Sequence, residues 1–216
     1  MNPLRPIWRT WLASRGWRVE DNTPVEHDKF VIVAAPHTTN WDFPYTMAVA
    51  AQLDMSFYWV GKHTLFRGPM GTFMRSMGGI PVDRTKRSDF TSQIVKFIEA
   101  HDGRMSVALA PEGTRGKSEC WKSGFYHIAK AANVPILLGF LDFENKVGGI
   151  GKMIWPLGSE TEVMDEIRDF YRASMAHHPQ LFVEPCLRSE SKPAPEPAPT
   201  MLPEAAIEPL ISDFSA

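Results

Sequence analysis

Cysteine is scarce: the 216-residue chain has two, Cys120 and Cys186, and their separation matches neither a zinc ligand set nor a CxxC redox pair. That paucity fits a reducing compartment. Long apolar runs are lacking as well, and none approaches the roughly 20 residues that cross a bilayer. Arg5, Arg9 and Arg15 break up the apolar core that a secretory leader would need, so the expected setting is the cytoplasm. Nor is there an excess of one charge. Lys and Arg number 23 against 25 Asp and Glu, a net of -2, which gives no bulk electrostatic case for nucleic acid. No internal repeat is present.

What is there reads as one ordinary core. Apolar residues make up 44% of the chain and charged ones 22%, and the length suffices for one substantial domain. The order of elements alternates strand and helix. Strands are expected at residues 29–35, 57–61, 105–110 and 136–142, with a short extended piece at 80–84 and a hairpin-like return from 147 to about 155. Helices are expected from about 42 to 53, then over 70–77, 88–100, 123–132 and 159 to about 175, the last capped by Ser159 or Thr161. Such alternation gives an α/β fold: a single domain with a central mixed, mostly parallel sheet flanked by helices. The expected organisation is an N-terminal amphipathic helix over 1–20, a domain over 21–188 and a Pro-rich disordered tail over 189–216.

Three apolar patterns bear on function. Leu4, Ile7, Trp8, Trp11 and Leu12 recur at helical spacing between arginines, a pattern that suits a membrane interface or docking onto the domain. Met70, Phe73, Met74 and Met77 share one helical face, either as core or as lining for a flexible hydrocarbon. The seven tryptophans and eleven methionines of the chain also suggest adaptable apolar surfaces.

Chemistry concentrates in two polar loops that each follow an apolar strand. The first is Pro36-His37-Thr38-Thr39-Asn40-Trp41-Asp42, placed between the run at 30–35 and a helix whose first turn holds Pro44. Across such a turn Asp42 can hold one ring nitrogen of His37 and leave the other to take a proton from a hydroxyl. The same residues allow a plainer reading, with Asp42 capping the helix and His37 on the surface. The second loop, Pro111-Glu112-Gly113-Thr114-Arg115, offers a carboxylate, a glycine, a hydroxyl and a guanidinium. It too can be an ordinary turn with a surface Glu-Arg pair.

Taken in order, His37 to Asp42, then Gly79-Ile-Pro-Val-Asp-Arg84, then Pro111 to Arg115, then Val134-Pro135-Ile136 resemble the blocks of the glycerolipid acyltransferases, the family of lysophosphatidic-acid acyltransferase. The resemblance covers roughly residues 29–140. It departs where Pro36 stands in place of a frequent Asn, where Gly116-Lys117 replaces a common Ser, and where Leu-Leu replaces a second proline in the last block. It implies an O-acyltransferase that moves a fatty acyl group from an acyl-CoA or acyl-ACP thioester to a hydroxyl of a lysophospholipid or glycerol-phosphate-like acceptor. His37 would be the general base and Asp42 its partner. Lys62, Arg84, Glu112, Gly113, Thr114 and Arg115 would bind the acceptor and its phosphate.

The resemblance further implies no metal and no cofactor beyond the acyl-CoA or acyl-ACP co-substrate, because a thioester is already activated. Acyl carrier protein is a possible partner, and the expected location is peripheral, on the inner face of the membrane. Two other readings are a non-catalytic lipid-binding or adaptor protein on the same fold and a metal-dependent hydrolase using His37, Asp42, His63 and Glu112.

Overall fold

The apolar run at 30–35 becomes the middle of a sheet. The computed structural model describes residues 4–53, 56–82, 87–116 and 120–190. Its strands are β1 (Arg18–Asp21), β2 (Lys29–Ala34), β3 (Phe57–Lys62), β4 (Gly79–Val82), β5 (Met105–Leu109), β6 (Ile136–Asp142) and β7 (Val147–Ile154). They form one seven-stranded sheet in the order β1-β7-β6-β2-β5-β3-β4. Every neighbouring pair is parallel except β6 and β7, which form the expected hairpin return. Pro81 is accommodated because β4 is an edge strand, and Pro135 immediately precedes β6.

The helices are α1 (Arg5–Ser14), α2 (Asp42–Gln52), α3 (Gly68–Ser76), α4 (Arg87–Ala100), α5 (Gly124–Ala131) and α6 (Glu160–Phe170). Strand alternation sorts the core into two faces. Val31, Val33, Val107, Ile136 and Leu138 pack with Ile94 and Ile98 of α4, Ile128 of α5 and Met164 of α6. Phe30, Ile32, Ala108, Leu137 and Ile150 line the opposite face. This α/β architecture, a single domain with a mostly parallel sheet between helices, is the one expected from the sequence.

Two elements differ from expectation. The N-terminal helix ends at Ser14, and Arg18–Asp21 is an edge strand that pairs with β7. The helix itself docks on the domain. Leu12 and Trp17 are buried with Tyr45, Ala48 and Val49, while Trp8 and Trp11 pack against that cluster. Arg9 Nε donates to the Ala51 carbonyl at 2.7 Å, at the C-terminal end of α2 where a cation is favoured.

The last helix stops at Phe170, with a separate 3₁₀ turn over Ala173–Met175. It starts with a capping box in which Ser159 and Glu162 satisfy each other's backbone amides. Tyr171 ends it because its buried hydroxyl donates to the carbonyls of Val33 (2.8 Å) and Gly139 (3.0 Å), which ties α6 to β2 and β6. Tyr171→Phe is expected to destabilise the fold by about 1–3 kcal/mol, read as a lower urea midpoint with unchanged slope. Residues from 191 onward, and with them the expected Pro-rich tail, lie outside the described residues.

Candidate active site

Parallel neighbours deliver their following loops to one edge of a sheet. β2 leads to His37, β5 leads to Glu112 and β3 ends in Lys62, so three strands that are adjacent in space bring together residues far apart in sequence. The two loops meet directly: the His37 backbone N–H donates to both Glu112 carboxylate oxygens, at 3.0 and 3.1 Å.

Within the first loop, His37 Nδ1 lies 2.9 Å from Asp42 Oδ2. The same oxygen accepts the backbone N–H groups of Thr38 (2.8 Å) and Thr39 (2.9 Å). Asp42 is buried, and its side chain makes no capping bond to α2. The carboxylate therefore closes the loop and holds the ring. A carboxylate only accepts, so Nδ1 carries the hydrogen and the lone pair sits on Nε2. A second strap comes from the His178 N–H, which donates to Thr38 Oγ1 at 3.2 Å.

Glu112 is electrostatically uncomfortable. Burial pushes its carboxyl up from 4.5 to about 7, against the lowering effect of the His37 amide. Its two oxygens serve the backbone of residue 37. Gly113 has φ +70°, a left-handed conformation that disfavours any side chain. Its N–H donates to the Ala110 carbonyl at 3.1 Å and closes the turn.

A cavity of about 640 Å³ opens at this edge. His37, Lys62, Gly113, Thr114 and Arg115 line its mouth, and it runs between α2 and the sheet past Ile32, Val49, Ala50, Leu53, Phe57 and Ile150. Room is left because β2, β5 and β6 place small residues on this face: Ala34, Ala108 and Gly139. Sequence reasoning missed these residues. The available signal was a single small residue at an alternating position in each strand, Ala34, Ala108 and Gly139, on the face that also carries Phe30, Ile32 and Leu137. Arg84 lies outside the described residues. Among the described residues, no three His, Cys, Asp or Glu side chains converge as a metal-ligand set.

Both cysteines are free thiols. Trp121 and Leu187 pair in an isolated bridge, which brings Cys120 and Cys186 into thiol contact.

A braced imidazole and cationic side chains thus line one largely apolar cavity on the loop edge of parallel strands. A family model described as Acyltransferase matches residues 16–137, more than half of the chain, and the protein belongs to that acyltransferase family. Its fold is similar to the crystal structure of the 1-acyl-sn-glycerophosphate (LPA) acyltransferase, PlsC, from Thermotoga maritima. The two share 17% identity, with 77% of this chain and 74% of that one covered and a TM-score of 0.53. Comparison with curated proteins finds no match.

Proposed function

We propose that the protein transfers a fatty acyl group from an acyl-CoA or acyl-ACP thioester to the hydroxyl of a lysophospholipid or glycerol-phosphate-like acceptor. The observation that carries this reading is the 2.9 Å His37–Asp42 contact at the mouth of the apolar cavity. The acceptor oxygen attacks the thioester carbonyl carbon while Nε2 of His37 takes the hydroxyl proton. The tetrahedral intermediate collapses, the C–S bond breaks, and the leaving thiolate receives that proton from the imidazolium. Asp42 fixes the tautomer and stabilises the imidazolium without itself becoming protonated. The Gly113 N–H is taken by Ala110, so the amides that follow it are the candidate donors to the oxyanion.

Lys62 and Arg115 hold the acceptor's phosphate, for which a guanidinium fork is well matched. The apolar cavity takes the acyl chain, and its volume falls in the range of about 300–1,000 Å³ usual for small-molecule sites. Ala50→Leu narrows the cavity from the α2 side. It is expected to lower kcat/KM for the longest accepted acyl chain by about 10- to 100-fold while sparing shorter ones, measured across a series of acyl thioesters. The enzyme meets its lipid acceptor at the cytoplasmic face of a membrane.

The deciding test is a thiol-release screen of acyl-CoA and acyl-ACP donors against lysophospholipids, glycerol phosphates and neutral alcohols. Acceptor-dependent release supports the reading. Tight lysolipid binding with no thiol released from any donor would replace it with a lipid-binding role.

A further inference from the structure

We infer that the segment running from Lys62 through α3 is the face by which this protein seats on an anionic lipid bilayer. The inference deepens the acyltransferase reading, because a lipid acceptor is what such a face would serve.

The argument begins with what α3 leaves uncovered. Of the Met70, Phe73, Met74 and Met77 stripe, Met77 is buried and Met74 lines the cavity. Met70 is 59% exposed and Phe73 42%, and Leu65 in the preceding turn is 46% exposed. Soluble surfaces seldom gather large apolar side chains on so short a stretch without a partner. Phe66 beneath them is buried and stacks on Trp59. Arg75 Nη1 donates to the Phe66 carbonyl at 3.1 Å, so the turn presents these side chains on a fixed platform.

Charge selects the occupant. Residues 62–77 contain Lys62, His63, Arg67 and Arg75, all exposed, and no Asp or Glu, although the whole chain carries a net -2. Apolar side chains ringed by cations suit the headgroup region of an anionic membrane. Position agrees with this: Lys62, Thr64, Leu65 and Met74 also line the cavity, so a bilayer against this face would stand at the entrance to the site. Helix α1, the other candidate, has committed Leu12, Trp8 and Trp11 to packing on α2, and of its large apolar side chains only Ile7 is exposed.

The test is co-sedimentation of the full chain with vesicles of phosphatidylglycerol and phosphatidylethanolamine, against vesicles of phosphatidylcholine alone. The protein is expected to partition onto the anionic vesicles and to be released by salt. The double variant Met70→Ser with Phe73→Ser should weaken partition by at least about tenfold, since both apolar side chains would no longer be buried in the interface. Arg67→Ala, a milder change outside the cavity lining, should weaken it about fivefold, the equivalent of about 1 kcal/mol for one cation at a charged membrane. Both variants should keep the parent's thermal midpoint and its thiol release with a water-soluble acceptor.

The inference is overturned if the parent ignores anionic vesicles, or if partition survives both variants. It is also overturned if partition is lost only on Ile7→Asp in α1. Loss of acyl-ACP turnover in both variants with vesicle binding intact would mark the face as a carrier-protein site and overturn it equally. Vesicle binding through this face without thiol release from any donor would uphold the face and reject the acyltransferase reading.

Discussion

His37→Ala is expected to reduce thiol release from an acyl thioester by about 100- to 10,000-fold, the contribution of a positioned general base, with little change in thermal midpoint. His37 is partly exposed, and its ring is held by a hydrogen bond to Asp42, so removing it strips few packing contacts. Asp42→Asn separates chemistry from scaffolding. An amide offers a donor and an acceptor in place of an acceptor-only carboxylate. It can present its NH₂ to Nδ1 and place the ring hydrogen on Nε2, which is the wrong tautomer for a base. Turnover should fall nearly as far as in His37→Ala. Some stability should also be lost, because the Thr38 and Thr39 amides share that oxygen. Retained turnover in His37→Ala would reject the base assignment. Equal loss of activity and of fold in Asp42→Asn would reduce Asp42 to a scaffold.

Glu112→Gln is expected to make the protein more stable above pH 7 while impairing catalysis. In the folded state the Glu112 carboxyl ionises near 7 against 4.5 ordinarily. Between those values the folded state holds a proton that the unfolded chain has released, so stability falls as pH rises from about 4.5 through 7 and is level beyond. The full penalty, from 7 minus 4.5 at about 1.4 kcal/mol per pH unit, is about 3 kcal/mol. Glutamine keeps an acceptor for the His37 N–H and removes the buried charge. The variant should therefore gain up to about 3 kcal/mol at pH 8 and nothing near pH 4, read from urea titrations at both values. Catalysis should weaken because the ionised carboxylate lies beside the imidazole that becomes cationic in the proposed reaction. A parent and variant with the same pH dependence of stability would show that Glu112 does not ionise late.

The strand-loop-helix unit around His37 was legible because its signals are local. A continuous apolar run, a polar turn and a proline confined to the first helical turn permit little else. Most strands and helices followed from the same kind of pattern. β1 did not, since Arg18-Val19-Glu20-Asp21 carries no apolar alternation and is a strand only because β7 offers it an edge. The end of α6 was overestimated because helical periodicity continues past Phe170. What stops it is a phenol hydroxyl engaged with two distant carbonyls.

The sequence by itself determined the α/β class, most of the elements, and the polar loops that carry His37 and Glu112, because periodicity and turn chemistry act over a few residues. Only the tertiary structure decided that Glu112 braces the backbone of residue 37, that Cys120 meets Cys186, that α1 commits its tryptophans to α2, and that small residues from separate strands leave a cavity under that helix. Those outcomes depend on strand order and register. Register is set by packing across the whole sheet, so no stretch of chain read alone contains them.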